Sequence, residues 1–404
     1  MKIIGCGMTT RQKQRVPVLV SLVIGLSFLA GSGCAQKLDL PELTPEFVQA
    51  ATAYLDSHRL SPEEYVVSKF ADHDVIILGE AHYHKHDPMF VQRLIPLVHK
   101  NGVHTLAMEF ARREDQRLID SLLAGASYDK RLANEIQFRQ YVHFGFQEYV
   151  DIYKAAWTLN QGLKPDERPF RIAGLNNSPD WSHVRKKEDR EDGNIMKKVW
   201  KGQTEEDWAK VILDLVGKGE KVLVYSGLHH AFSEYKQPVV NPETGEVWRF
   251  EEGRMGNHVF RALGKRVITI ALHAPWFSDK VMPHEVYAAD GHIDALMHEL
   301  GSDYYPIGFD THGTPFANLP GESSLYAQGY DSFVLKNLCD GYIYFKPIPE
   351  YEGVTPIYGF VNENNVERAR LRSPNPKRRD ASVEQFYVSA MTIANIQWKY
   401  RKFK

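Results

Sequence analysis

The chain has 404 residues, 43% of them hydrophobic and 25% charged, with a formal net charge of −2. That length admits one large domain or two ordinary ones, and the composition is ordinary for a soluble globular protein. The near-zero charge argues against a nucleic-acid or anionic-membrane footprint; the basic runs Arg185-Lys186-Lys187 and Lys377-Arg378-Arg379 are each followed by an acid, Glu188 or Asp380, and read as solvated faces.

The N-terminus differs in kind. Lys2, Arg11, Lys13 and Arg15 precede a mostly apolar run, Val18 to Ala30, too short for a comfortable membrane span. The small residues Ala30-Gly31-Ser32-Gly33-Cys34-Ala35 follow, an order that reads as a secretory signal peptide over 1–34. Gly31-Ser32-Gly33-Cys34 resembles a lipobox with Cys34 as the lipidated residue, although Gly31 stands where a bulky aliphatic residue is usual; cleavage after Ala35 is the alternative. The expectation is an exported lipoprotein of the bacterial cell envelope with a lipid anchor in the membrane, or a periplasmic or secreted protein if Cys34 is not lipidated. With Cys6 and Cys34 both in this leader region, Cys339 has no disulfide partner and reads as a buried small apolar residue.

Residues 36–46 read as a tether, and Phe47, Val48, Ala51, Tyr54 and Leu55 recur at helical spacing over about 45–60. Asp74-Val75-Ile76-Ile77-Leu78 is a continuous apolar run of the kind buried on both faces of a sheet, ending at Gly79. Asp87 is placed to cap a helix with Pro88 in its first turn, running to about Lys100. His104 to Glu109 is a second strand, followed by helical patterns over about 113–124 and 146–161. Further strands are predicted at Phe170 to Leu175, Lys221 to Gly227 and Arg266 to Ala271. Helices are predicted around 190–200, 204–218 and 254–264, with a polar loop near 236–253. Tyr304 to Phe309 and Tyr342 to Phe345 are strand-like, and Val383 to Trp398 is a closing helix. Repeated strand–helix alternation predicts an α/β fold: a mostly parallel central sheet flanked by helices, with an additional C-terminal strand/helix extension. The expected division is a leader over 1–34, a tether and helix over 35–69, an α/β core over 70–280 and an extension over 281–404 packed on it. Within the extension, Gly308 to Pro315 is a candidate rim over the site.

In parallel sheets, ligands sit beyond the carboxyl ends of the strands. The predicted strands end in Glu80 and His82, in Glu109, in Asn176-Asn177, in His229-His230 and near His273, so carboxylates, imidazoles and amides should gather on one edge. A carboxylate can orient an imidazole as general base toward water. Alternatively His82, Glu109 and His230 can hold a divalent metal that acidifies a bound water. The run His82-Tyr83-His84-Lys85-His86 invites a metal reading too: as a strand all three His share a face, as a helix only His82 and His86 do. The plainer reading leaves His84 and His86 as exposed loop residues, pairs Glu109 with Arg112 or Arg113, and keeps His273 structural.

Val75 to Gly125 carries a strand, then Gly79-Glu80-Ala81-His82, a helix, then Met108-Glu109 followed by Arg112 or Arg113 and Gln116. This resembles the ChaN-like haem-binding lipoproteins. Ala173-Gly174-Leu175-Asn176 is similar to that family's next strand, and Gly227-Leu228-His229-His230 to its later Gly-x-x-His, which selects His230 over His229. The resemblance implies the wider Tiki superfamily, which includes metal-dependent proteases, and a more distant likeness to erythromycin esterases, which have one more residue between Glu and His. The likeness spans about 70–235, and the family's haem ligand has no counterpart among the shared motifs.

Two function classes follow. The first is a hydrolase in which Glu80, His82, Glu109 and His230, with Arg112 or Arg113 stabilising negative charge, direct water onto an ester or amide of a small-molecule or peptide substrate, with or without a divalent metal. The second is a haem- or iron-binding lipoprotein of iron uptake without turnover. Asn176, His229 and His273 are secondary site candidates. An envelope interaction protein is a third class.

Overall fold

A computed structural model describes residues 37–241, 244–280 and 284–404. The leader reading, Cys34 included, lies outside the described residues. In chain order the strands are β1 (Val75–Glu80), β2 (Thr105–Arg112), β3 (Arg171–Asn176), β4 (Val222–Gly227), β5 (Gln237–Val240), β6 (Val247–Glu251), β7 (Val267–Leu272), β8 (Trp276–Phe277), β9 (Glu285–Val286), β10 (Ile307–Asp310) and β11 (Gly341–Tyr344). β5 with β6 and β8 with β9 form small ribbons; the other seven form one sheet in the order β10-β11-β7-β1-β4-β2-β3. Its neighbours run parallel except at one edge, where β10 is antiparallel to β11. This is the expected α/β class, with C-terminal strands joining the sheet.

Among the described residues up to position 300, the α-helices are α1 (Pro45–His58), α2 (Pro62–Lys69), α3 (His86–Lys100), α4 (Gln116–Ala124), α5 (Lys130–Gln140), α6 (Gln147–Gly162), α7 (Gly193–Val199), α8 (Glu205–Val216), α9 (Leu228–Ala231), α10 (Met255–Leu263) and α11 (His292–Leu300). β1 is buried along its whole length because both faces are covered. Ile76 and Leu78 pack with Phe90, Val91 and Leu94 of α3 and Val150 and Tyr153 of α6. Val75 and Ile77 alternate to the other face, among Trp208 and Ile212 of α8 and Met255 and Val259 of α10. This double burial is why the run reads as continuous rather than alternating apolar sequence. Among the described residues no helix is long and apolar enough to cross a membrane.

The differences from expectation have local causes. α3 begins at His86, and its N-cap is Lys85 with no side-chain cap bond, so Asp87 lies inside the first turn and caps nothing. α5, absent from the sequence reading, is a polar segment started by the Asp129 side chain, which accepts from Arg131 and Leu132. The polar loop near 236–253 contains the β5/β6 ribbon. The closing helix is broken at Asn395, whose side chain caps Ile396–Lys399. The stretch read as a tether lies against the far end of the chain: Leu38 N–H donates to the Lys402 carbonyl at 2.7 Å, and Lys37 reaches the Phe403 carbonyl. Gly308 to Pro315 forms no rim over the strand ends. β10 runs backwards, so Asp310 pairs in register with Gly341 at the start of β11, on the opposite edge of the sheet, and accepts from Tyr65 and Lys69 of α2.

Leu78 is 0% exposed in the central strand. Leu78→Ala is expected to cost about 2–5 kcal/mol of stability, read from the denaturant midpoint; a loss below about 1 kcal/mol would contradict the two-sided packing of β1.

Candidate functional site

The register sets the site. Glu80 pairs with Gly227 across β1 and β4, and Met108 with Tyr225 across β2 and β4, so the ends of three adjacent strands are level. Glu80, the last residue of β1, is 1% exposed. A carboxylate taken out of water must be matched by donors. Glu80 Oε1 accepts from the Tyr149 hydroxyl at 2.6 Å and from His82 Nδ1 at 2.7 Å, and Oε2 accepts from the Tyr225 hydroxyl. Because the carboxylate only accepts, it holds the proton of His82 on Nδ1 and leaves Nε2 as the reactive nitrogen. A Cβ on Gly227 would lie 2.7 Å from His82 Cε1, 3.1 Å from Nε2 and 3.4 Å from Glu109 Oε2. The first glycine of the second Gly-x-x-His motif is therefore the space into which His82 and Glu109 converge.

Glu109 Oε2 accepts from the Gly227 N–H at 2.7 Å, and its Oε1 stands 3.5 Å from His230 Nε2. His230 brings its Nδ1 to 2.9 Å from Glu205 Oε2, an ion pair without hydrogen-bond alignment, and its ring stands tilted by 39° to Trp208, centroids 4.8 Å apart. Glu205 opens α8 and also takes the Arg254 guanidinium and the Met255 N–H, both at 2.9 Å. The result is two carboxylate–imidazole pairs, Glu80–His82 and Glu205–His230, with Glu109 between them. Phe110, Phe144 and Tyr83 stand edge-on around the His82 ring at 5.7, 5.3 and 5.9 Å, and the His82 side chain keeps 32% exposure. Tyr83 itself has φ +79°, left-handed for a bulky residue, a strain retained only where surroundings enforce it. That kink separates His82 from His84, so the run follows neither the strand nor the helix pattern.

The electrostatics follow the contacts. Burial alone would lower the His82 pKa; the hydrogen bond to Glu80 and the charges of Glu109 and Glu80 outweigh it and raise it, against the opposing charge of His230. For His230, burial is likewise outweighed by Glu205 and Glu109. Burial would push Glu205 up, but His230 and Arg254 bring it down to about 2.

Other candidates are placed differently. Arg112 is buried and donates through Nε to Asp115 at 2.7 Å and through Nη1 to the Arg139 carbonyl. Arg113 donates to Asn177 Oδ1 at 2.8 Å and to the Asp207 carbonyl. Neither arginine pairs with Glu109. Gln116 braces β3, donating to the Ile172 carbonyl and accepting from Gly174 N–H. Asn176 ends β3 opposite Arg112 in register, beyond β2 from the centre. His229 points away to the Tyr326 hydroxyl at 2.9 Å, and burial lowers its pKa to about 3. His273 is fully buried between the Tyr342 hydroxyl (2.8 Å) and Asp294 (3.1 Å), a structural role. His84 and His86 are not exposed loop residues: His84 is fully buried and the His86 side chain is 13% exposed. Sequence reasoning missed Glu205, Tyr149 and Tyr225. Glu205 had a signal, as the first helical residue after Thr204; the tyrosines had none beyond lying in apolar segments.

A folded pKa above the unfolded value means the folded protein holds its proton more tightly. The stability contributed by His82 and His230 is thus fully present below the unfolded value near 6.5 and is lost as pH rises through the raised folded values. Thermal denaturation of the wild type and His230→Gln between about pH 5 and about pH 9 is expected to show a wild-type advantage that shrinks toward alkaline pH. A constant difference would remove the charged imidazole from the folded state.

No curated protein matches the chain in sequence. Among solved structures, a Bacillus cereus protein is 13% identical over 78% of this chain and 99% of its own, with a TM-score of 0.46. A structure described as cofacial haem binding to ChaN of Campylobacter jejuni is 14% identical over 52% and 85%, with a TM-score of 0.33. A variant of the erythromycin esterase EreC in its open conformation is 10% identical over 69% and 92%, with a TM-score of 0.43. The segment 66–176, which holds Glu80, His82 and Glu109 but not His230, matches the model of the family described as haem-binding uptake, Tiki superfamily, ChaN, and so bears out the resemblance carried by the Gly-Glu-x-His and Met-Glu motifs.

Proposed function

We propose that the protein is a hydrolase that directs water onto an ester or amide, with His82 as general base and His230 as its protonated counterpart. The observation that carries this reading is the Glu80–His82 pair: a buried carboxylate fixed by two tyrosine hydroxyls, with an imidazole whose Nε2 faces Glu109 from a partly exposed position. In its neutral form, which gains as pH rises through the raised pKa of this imidazole, His82 takes a proton from water through Nε2 as the oxygen attacks the carbonyl carbon, and Glu80 stabilises the imidazolium that forms. His230, whose charged form is favoured by Glu205 and Glu109, donates its proton to the departing oxygen or nitrogen. Glu109, fixed by the Gly227 amide, places its carboxylate between the two imidazoles. Arg112 and Arg113, spent on Asp115 and Asn177, have no part in this scheme. A divalent metal, if used, would be held by His82, Glu109 and His230, and would supply an acidified water; Glu80 and Glu205 on the opposite ring nitrogens suit such ligands.

Haem binding is the second reading, favoured by the match to a family described by haem uptake. An imidazole edged by Phe110, Phe144 and Tyr83 offers a wall for a porphyrin, and turnover is then not required. The N-terminal residues complete the proposal: an exported lipoprotein carried on Cys34, working in the cell envelope.

An esterase and peptidase panel on the purified protein is expected to find an activity that falls about 10²–10⁴-fold in His82→Gln and substantially in Glu80→Gln. Activity unchanged in His82→Gln would sink the general-base assignment. Haemin titration followed by absorbance separates the readings, since a saturable spectral shift in a protein inactive on every substrate would favour haem. For the anchor, Cys34→Ala is expected to move the protein from the membrane to the soluble envelope fraction; an unchanged distribution would count against lipidation.

A further inference from the structure

The turn after His82 builds a second buried polar cluster that the proposed hydrolysis does not use. His84, His86 and Asp87 each bring one donor atom into a group whose members all lie within 4.8 Å of one another. His84 Nδ1 is 3.5 Å from Asp87 Oδ2, and His86 Nε2 is 3.3 Å from Asp87 Oδ1. Neither contact is a hydrogen bond. Both Asp87 oxygens, His84 Nδ1 and both ring nitrogens of His86 are buried without a hydrogen-bond partner. Folded proteins rarely leave so many buried polar atoms unmatched at one place, and a buried carboxylate with nothing bound to it is costly.

The geometry suits a metal ion. Tetrahedral ligands about 2.1 Å from a zinc-like ion stand about 3.4 Å apart; the two imidazole-to-carboxylate separations, one to each Asp87 oxygen, bracket that value, and the group as a whole lies within 4.8 Å. His84 Nε2 is 2.8 Å from the Tyr400 hydroxyl, so an Nε2–H donating there leaves the Nδ1 lone pair directed toward Asp87. A partner on the far ring nitrogen is the usual way a metal-binding imidazole is oriented. Aromatic rings close the surroundings: Tyr351 lies 4.9 Å from the His84 ring and 4.5 Å from the His86 ring, and Phe345 lies 5.0 Å from His86. The turn is also joined to the C-terminal segment through backbone, with Lys85 N–H donating to the Glu352 carbonyl at 3.0 Å.

We propose that His84 Nδ1, His86 Nε2 and Asp87 bind a divalent cation of the zinc class, separate from the His82–Glu109–His230 centre. Imidazole and carboxylate donors suit zinc, cobalt or nickel better than calcium or magnesium. The cation fixes the β1–α3 turn that follows His82, and so holds the His84 ring in place for its bond to the Tyr400 hydroxyl. Its role is structural, and it stands or falls independently of the hydrolytic reading.

The full chain, stripped with chelator and dialysed against Co(II), tests this. Wild type and His230→Gln are expected to retain a Co(II) equivalent with the visible absorption of a low-symmetry site, and Zn(II) should raise their Tm by several degrees. His86→Gln, checked for folding by circular dichroism, is expected to lose that equivalent and the Tm rise. If that variant fails to fold, the near-isosteric Asp87→Asn serves in its place. Retention of the same Co(II) spectrum and the same Tm rise in either folded variant overturns the proposal. So does a wild type that holds no Co(II), or one whose Co(II) is lost only in His230→Gln.

Discussion

The site depends on one constraint: an ionisable carboxylate, Glu80, ends the central strand and is almost wholly removed from water. Such a group must be surrounded by donors, and three elements supply them: Tyr149 from α6, Tyr225 from β4 and His82 from the turn that follows β1. Once those donors are in place, much else is determined. His82 has its tautomer, its orientation and the direction of its free nitrogen. Gly227 has to be a glycine, because a side chain would occupy the space between His82 and Glu109.

The sheet turns that local arrangement into a site. β4 lies between β1 and β2, and all three run parallel with level ends, so Glu80, Glu109 and the Gly227–His230 turn meet on one edge although they come from distant segments. α8 then brings Glu205 to the far side of His230, reproducing around the second imidazole the pairing that Glu80 gives the first. Other polar residues at the strand ends have structural uses. His273 at the end of β7 is held between Tyr342 and Asp294, and Arg112 at the end of β2 is spent on Asp115.

Much of this was legible in the sequence. The apolar runs of β1, β2, β3, β4 and β7 announced themselves because strands covered on both faces are continuously hydrophobic, as at Val75 to Leu78. Their polar successors were legible because ligands collect at the carboxyl ends of parallel strands. The arginines misled, since the sequence around Arg112 does not show that Asp115, three residues on, takes its guanidinium. α5 was hidden because its sequence is too polar to show an apolar stripe. Asp87 looked like a cap because Asp before Pro usually is one, yet the helix starts one residue earlier and buries it.

The sequence by itself determined the fold class and the five parallel strands of the core, and it pointed to Glu80, His82, Glu109 and His230 at or just beyond the strand ends, because hydrophobic run length and strand-end polarity are local properties. Only the tertiary structure decided the strand order that makes Glu80, Glu109 and His230 neighbours, the reversal of β10 that carries Gly308 to Pro315 away from the site, and the partners Tyr149, Tyr225 and Glu205. Those depend on which elements pack together across long stretches of chain, and no local pattern encodes that. The same is true of His84, His86 and Asp87, which pass for a loop and a cap in sequence and become a buried donor cluster once the C-terminal Tyr351 and Tyr400 close over them.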